Sequence, residues 1–193
     1  KPPCPYVVTK TEAEAAVGEE AGRGLDAVLV NPGFLLGPRD WKPSSGRMLL
    51  EVGKRTPLLA PSGGCSVADA GDVGAAILAA LDRAKGGDRF ILAGGNVSYL
   101  ELWRLFAAVA GRRGPVGTLG PVLRWGLGRG GDLVGRWRGE EPLVNSAALA
   151  MSSLGHYYSS EKARSELGYR NRPLEETVVE AWRWFSDQGY LAK

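Results

Sequence analysis

The run Ala27-Val28-Leu29-Val30 is followed directly by Asn31-Pro32-Gly33, and this stretch decides the fold. Consecutive apolar residues that end in turn-forming residues indicate a short strand buried on both faces, as the strands of parallel sheets are. Pro and Gly then stop the strand. We therefore predict a strand over residues 26–31. A second strand is predicted over residues 88–93, in Arg89-Phe90-Ile91-Leu92-Ala93.

Helical patterns surround these strands. Residues 6–21 are rich in Ala, Glu and Val and contain no Pro, which predicts a helix that ends at the breakers Gly22 and Gly24. Residues 72–84 predict a second helix, with Asp72 as its N-cap. The apolar face of that helix is expected to contain Val73, Ile77, Ala80 and Leu81. The order strand, helix, strand indicates an α/β fold with parallel pairing.

The second half of the chain contains further helix signals, and residues 46–54 also predict a helix. Ser98-Tyr99-Leu100-Glu101 is a capping box, in which Ser and Glu side chains each bond a free backbone N–H. Ser160 is expected to start a short helix that ends at Leu167-Gly168. Pro173 is expected to open the last helix. Its apolar stripe would contain Leu174, Val178, Ala181, Trp182 and Phe185.

Composition excludes several classes of protein. The chain has 193 residues, is 44% hydrophobic and 23% charged, and carries a net charge of +3, which excludes a disordered chain. No apolar run reaches the length of a membrane-spanning helix. Cys4 and Cys65 are too few for a disulfide framework or a multi-cysteine zinc site, and His156 is the only histidine, so no metal site is predicted. Two separate cysteines fit a reduced, cytoplasmic setting.

Residues 112–138 carry six arginines and one acid, Asp132, together with eight glycines and two tryptophans. One interpretation is a solvated, irregular insertion, and another is contact with an anionic membrane surface or a phosphorylated substrate. Nucleic acid is not an expected partner, because no binding signature accompanies the charge. The segment also contains a formal G-x-G-x-x-G at Gly126, Gly128 and Gly131. We reject it as a dinucleotide loop, because the residues before it do not form a strand.

Tyr6 and Lys10 are the candidate catalytic residues. On a helix a spacing of four residues puts both side chains on one face, about 5–6 Å apart at Cβ. A phenol with a pKa near 10 exchanges protons poorly at neutral pH, but a nearby ammonium favours the phenolate. Tyr beside Lys can therefore act as a general acid/base pair, and the ammonium keeps donors for a sugar hydroxyl.

The sequence around this pair, Pro5 to Glu14, resembles the catalytic helix of the extended short-chain dehydrogenases/reductases, with their Tyr-x-x-Ser/Thr-Lys pattern followed by Ala-Glu. Four later segments match motifs of the same family in the same order. They are Val28 to Pro38, Val67 to Val73, Arg89 to Gly95, and Ser159 to Tyr169. The segments Asn31-Pro32-Gly33 and Phe90 to Gly95 are most similar to dihydroflavonol reductases and hydroxysteroid dehydrogenases.

The resemblance implies an NAD(P)-dependent oxidoreductase, with NADP or NAD as cofactor. Tyr6 would be the acid/base, and Lys10 would tune Tyr6 and bind the nicotinamide ribose. Pro32, Gly33, Phe34 and Leu35 would line the nicotinamide side, largely through their backbone. Residues 1–99 would be the C-terminal portion of a Rossmann doubly wound parallel sheet, and residues 100–193 a small, mostly helical substrate-binding lobe with interleaved segments. A homodimer is also implied.

Two parts of the family pattern do not occur in this sequence. They are the third catalytic residue, a Ser or Thr upstream of the Tyr, and the Gly-rich dinucleotide loop of the first strand-helix unit. We therefore expect a fragment whose partner is the missing N-terminal half of the same protein. The preferred function is oxidation or reduction of a small, fairly apolar alcohol or carbonyl compound. The alternatives are a nucleotide-sugar epimerase or dehydratase of the same superfamily, and a non-catalytic cofactor-binding regulator or subunit.

Overall fold

The computed structural model describes residues 5–139 and 145–191, without the side chains of Pro5 and Tyr6. The helices are α1 (Pro5–Gly22), α2 (Ser45–Arg55), α3 (Ala70–Arg83), α4 (Tyr99–Val109), α5 (Pro121–Arg138), α6 (Ser146–Met151), α7 (Glu161–Leu167) and α8 (Leu174–Asp187). The strands are β1 (Leu29–Pro32), β2 (Phe34–Leu36), β3 (Leu59–Ala60), β4 (Gly64–Asp69), β5 (Arg89–Leu92), β6 (Asn96–Ser98), β7 (Gly117–Thr118) and β8 (Gly155–His156).

Parallel pairing dominates the sheets, as the alternation of strands and helices predicts. β1 pairs with β5 in parallel, with Leu29 opposite Arg89 and Pro32 opposite Leu92. The fully buried β4 forms parallel pairs with β2 and β8 and an antiparallel pair with β6. β3 and β7 form a separate parallel pair. The α/β fold class is thereby confirmed.

Two apolar clusters hold these elements together. The first joins α2, α4 and α8 to β2 and β4, and its fully buried side chains include Leu49, Phe106 and Phe185. The second joins α3 and α7 to β4 and β5, around Phe90 and Leu92. Each cluster draws side chains from both sides of residue 99, so the predicted lobes share their cores. The division into residues 1–99 and 100–193 stays a prediction.

Most predicted elements are confirmed, with ends that move by a few residues. The capping box at Ser98 and Glu101 forms as expected. The buried stripe of α8 includes Val178, Ala181 and Phe185, none of which has an exposed side chain. Ser160 precedes α7 as predicted.

The predicted N-cap of α3 is wrong. Asp69 caps the helix, because its Oδ1 accepts hydrogen bonds from the backbone N–H groups of Gly71 and Asp72. The carboxylate of Asp72 is instead bonded by the guanidinium of Arg172. The predicted apolar face is also only half right. Val73 and Ala80 are buried, whereas Ile77 and Leu81 are 40% and 73% exposed.

The interpretation of residues 112–138 as an irregular insertion, one of the two left open by the sequence, is wrong for most of the segment, because Pro121–Arg138 forms the 18-residue helix α5. Pro121 stands in the first turn, where a missing N–H costs nothing, and Gly139 ends the helix with a φ of 69°. Interior glycines each cost about 1 kcal/mol relative to alanine, so packing of α5 against α6 has to offset them. The formal G-x-G-x-x-G lies inside this helix, which confirms its rejection as a phosphate loop.

The predicted burial of the first strand on both faces is not what the structure shows. Leu29, Val30 and Asn31 of β1 are half-buried, because β5 is the only strand that pairs with β1 within the described ranges. No helix in the described part of the chain is long and apolar enough to cross a membrane.

Candidate functional site

The turn between β1 and β2 lies at the carboxyl end of β1, where open α/β sheets bind their ligands. Pro32 is exposed, and the N–H of Gly33 donates to the carbonyl oxygen of Leu92 at 3.0 Å, which holds the turn to the end of β5. Gly33 also passes close to β4. A Cβ atom on Gly33 would lie 2.5 Å from the carbonyl oxygen of Ser66, so glycine is required there by close backbone approach.

The side chains of Phe34 and Leu35 point away from this turn. Phe34 packs against the first apolar cluster and Leu35 against the second, as expected for neighbouring residues of one strand. Both side chains are thus packed, at least in part, against the interior of the protein. This matches the expected backbone role, which stays a prediction.

Helix α1 places Lys10 on an exposed surface, in a groove of about 310 Å³ that Thr11, Glu14 and Arg89 also line. Tyr6 belongs to the first turn of α1, but its side chain lies outside the described residues. The helical backbone confirms that Tyr6 and Lys10 are one turn apart on the same face.

Three contacts fix the direction of α1 along β1 and β5. Glu14 Oε2 lies 3.9 Å from Arg89 Nη1, and Arg89 Nη2 packs against Gly18. A Cβ atom on Gly87, which precedes β5, would lie 3.9 Å from the methyl group of Ala21. The second half of α1 thus lies beside the amino ends of β1 and β5, and its first half extends toward their carboxyl ends.

Ser66 is a site residue that sequence reasoning missed. Its fully buried hydroxyl donates to Asn96 Oδ1 at 2.5 Å and accepts from the N–H of Tyr158 at 2.9 Å. Ser66 therefore connects three segments directly beside the Gly33 turn. Ser160 acts similarly at the end of β5, where its hydroxyl bonds both the N–H and the carbonyl of Ala93. A lone Ser such as Ser66, between Cys65 and Val67, carries no sequence signal for such a role.

Arg172 is the second missed residue. It binds Asp72 with Nη2 at 3.0 Å and Glu180 with Nη1 at 2.8 Å, and it lies 3.4 Å from Asp69. The bonds to Asp72 raise the pKa of the guanidinium further. Arg172 thus connects the start of α3 to α8, and the acids that it binds serve structure.

Cys65 and Tyr99 also carry groups that could act as nucleophiles, but both are poorly suited to reaction. Burial raises the pKa of the Cys65 thiol to about 11, although a hydrogen bond with Tyr99 opposes the rise. Burial likewise raises the pKa of Tyr99 to about 12. Both groups are therefore protonated at neutral pH. Cys4 lies outside the described residues. Within the described ranges no three metal-ligating side chains come together.

Comparison with known proteins adds to this geometry, although no family model matches the chain. A Synechocystis protein that is named as a dihydroflavonol 4-reductase is 30% identical to this chain. The match extends over 191 residues, which are 96% of this chain. A nucleoside-diphosphate-sugar epimerase from Pseudomonas aeruginosa has the same fold, with a TM-score of 0.80 and 28% identity over 98% of this chain. The chain is related to the extended short-chain dehydrogenases/reductases. The resemblance read from the sequence is confirmed.

A third similar protein, sterol demethylase protein B of Methylococcus capsulatus, is 27% identical over 99% of the chain. The chain spans only part of the length of these relatives. It covers 56% of the Synechocystis protein, 59% of the Methylococcus protein and 58% of the epimerase.

Proposed function

We propose that the chain is the catalytic and substrate-binding part of an NAD(P)-dependent oxidoreductase that interconverts a carbonyl and an alcohol. The observation that supports this most directly is the direction of α1, which extends toward the carboxyl ends of β1 and β5. Tyr6 and Lys10 belong to that first half of α1, and Pro32 and Gly33 follow those strand ends.

The lengths of these elements are compatible with this arrangement. The guanidinium of Arg89 lies against Gly18, and eight residues of helix back to Lys10 correspond to about 12 Å. Leu29 pairs with Arg89, and four residues of extended chain on to Gly33 correspond to about 13 Å. The helix is thus long enough to bring Lys10 and Tyr6 toward the height of Gly33.

The Gly33 turn fits a flat nicotinamide ring. Gly33 has no side chain to intrude, and Phe34 and Leu35 direct theirs into the protein core. Backbone groups at the end of β1 would thus hold the nicotinamide, with Lys10 donating to its ribose hydroxyls. When bound, the cofactor supplies or accepts the hydride.

The protein's part in the reaction is proton transfer. In reduction the Tyr6 hydroxyl donates its proton to the carbonyl oxygen of the substrate, and in oxidation the Tyr6 oxygen accepts the proton of the alcohol. The Lys10 ammonium favours the phenolate and so makes this exchange feasible near neutral pH.

The proposed substrate is a fairly apolar ring compound. Dihydroflavonol and sterol are the substrate classes in the names of the two curated relatives, and both are hydrophobic ring systems that bear an oxygen function. The backbone N–H of Tyr158 donates to Ser66 beside the Gly33 turn, and the aromatic side chains of Tyr157 and Tyr158 are exposed. These rings would supply flat apolar contacts to the substrate.

The experiment compares variants of the complete enzyme with NADPH and a panel of hydrophobic ketones. Tyr6→Phe should abolish cofactor oxidation, and Lys10→Met should shift the pH–rate profile to higher pH as well as raise the cofactor KM. Tyr190→Phe, which removes a phenol bonded to the Trp41 carbonyl far along the chain, is the matched control and should retain activity. Activity retained in Tyr6→Phe would contradict the mechanism, and tight cofactor binding without any turnover would favour a regulator.

The second candidate is a nucleotide-sugar epimerase or dehydratase. The Pseudomonas epimerase supports it, because its similarity extends over nearly the whole chain. Arg124 and Arg129 line a groove of about 560 Å³ between α5 and α6, where guanidinium groups could bind a diphosphate. Thermal stabilisation by nucleotide sugars and co-purified NAD would support this candidate. Stabilisation by hydrophobic ketones alone would reject it.

A further inference from the structure

Helix α5 has a solvent-facing apolar surface that the proposed reaction does not use. We call it the outer face of α5. Its side chains are between 43% and 85% exposed. They are Val122, Leu123, Leu127, Leu133, Val134 and Trp137. An apolar surface of this kind on a protein usually marks a contact with a partner or a membrane.

The outer face is continuous and points away from the other residues that the structure describes. At 3.6 residues per turn its members cover an arc of about 140°, interrupted only by glycines. The opposite side of α5 packs on α6, where Gly128 contacts Ser146 and Asp132 Oδ1 accepts the N–H of Ser146 at 2.9 Å. The fold therefore fixes α5 with its apolar arc toward solvent.

Arginines border the outer face on both sides. Arg129 and Arg136 follow one edge of the arc, and Arg124 and Arg138 follow the other. Asp132, the acid of this helix, is turned toward α6, and its bonds to Ser146 lower the pKa of its carboxyl group. An apolar arc between two rows of positive charge matches the layering of a bilayer surface, with acyl chains below and anionic headgroups above.

We propose that the outer face of α5 binds the protein to membrane surfaces that carry anionic lipids, with the helix lying in the plane of the interface. Trp137 and Val122, 85% and 82% exposed, mark its two ends about 22 Å apart and enter the bilayer boundary. The flanking arginines contact lipid phosphates. A second copy of the chain fits less well, because symmetric pairing of two outer faces would bring equally charged arginine rows together.

The test is flotation of the complete protein with vesicles of phosphatidylcholine, alone or mixed with phosphatidylglycerol. Binding is expected on the mixed vesicles and should weaken with added salt, since each arginine near the surface contributes about a fivefold change in partition. Leu133→Glu should lower the bound fraction more than about tenfold. The double substitution Arg129→Gln and Arg136→Gln should lower it about twenty-five-fold.

Matched controls separate this face from general hydrophobicity and charge. Leu58 is 69% exposed against 68% for Leu133 but lies outside α5, so Leu58→Glu should bind as the unaltered protein does. Arg23→Gln with Arg55→Gln removes the same charge from exposed positions elsewhere and should have little effect. Unchanged thermal unfolding of every variant verifies folding.

Three results would overturn the proposal. One is no binding to mixed vesicles at low salt, and another is equal binding by the α5 variants and their controls. The third is a dimer in sedimentation velocity that Leu133→Glu converts to a monomer without vesicle binding, which would assign the outer face to a second copy.

Discussion

At the scale of single residues, the absence of a Cβ atom at Gly33 allows the close backbone packing beside the candidate site. Its backbone passes the carbonyl of Ser66 so closely that Gly33→Ala must push β4 away from the β1–β2 turn. We expect a loss of about 1–3 kcal/mol in the free energy of unfolding, measured by denaturant titration. Gly74→Ala is the control. Nothing lies within 4 Å of a Cβ there, and alanine inside α3 should stabilise by up to about 1 kcal/mol. An equal effect of both substitutions would contradict the close approach.

Cys65 carries a second residue-scale prediction. The buried thiol has its pKa raised to about 11, so the reactive thiolate is rare at neutral pH. In a Cys4→Ser variant, labelling of the folded protein with iodoacetamide at pH 8 should be slow and should accelerate only with denaturant. Peptide mass mapping locates the label. Rapid labelling of Cys65 without denaturant would show that the thiol is accessible in the folded protein, which would contradict its buried position.

At the scale of elements, the capping box of α4 can be tested directly. Ser98 Oγ accepts the N–H of Glu101, and the Glu101 carboxylate accepts the Ser98 N–H. Ser98→Ala should therefore cost about 1 kcal/mol in the free energy of unfolding. Ser165→Ala is the control, because the Ser165 hydroxyl only bonds back to carbonyls within α7 and alanine suits a helix interior.

The same box gives a pH dependence with a definite sign. Bonds from Ser98 lower the pKa of Glu101 in the folded protein. The stabilisation is therefore complete above the ordinary Glu pKa of about 4.3 and is lost as the pH falls through the lower, folded value. The difference between Ser98→Ala and the unaltered protein should narrow in acid. A difference that widens in acid would contradict the assignment.

Elements with a regular pattern or a cap could be predicted from the sequence, whereas the central strand could not. Apolar runs, capping residues and the helical spacing of apolar residues predict β5, α4 and α8. β4 reads Gly-Cys-Ser-Val-Ala-Asp, which lacks both an apolar run and an alternation. It is a strand because β2, β6 and β8 all pair with it, which is information from distant segments. α5 escaped prediction for a related reason, since its glycines disfavour a helix that packing on α6 stabilises.

At the scale of the whole molecule, some residues of the candidate site could be predicted from the sequence and others could not. Local motifs predicted Tyr6, Lys10 and the Gly33 turn, because proton transfer and close backbone approach demand particular residue types. Ser66 and Arg172 connect segments 92 and 100 residues apart, and only the fold reveals such partners. Positions whose role is set by distant contacts carry no local signal.

The half-buried state of β1 leads to the last prediction. Its apolar residues are suited to burial on both faces, yet within the described residues only β5 pairs with it. In a longer protein, like the relatives of which this chain spans 56–59%, a further segment would pair with the other edge and supply a Gly-rich loop that binds pyrophosphate. The 193-residue chain alone should therefore bind NAD(P)H at least about a hundredfold more weakly than the complete enzyme in calorimetric titration, a loss of about 2.7 kcal/mol. Lys10→Met in the complete enzyme is the comparison, since it should weaken binding far less. Equal affinity of the 20.5 kDa chain and the complete enzyme would show that the dinucleotide site lies within these residues.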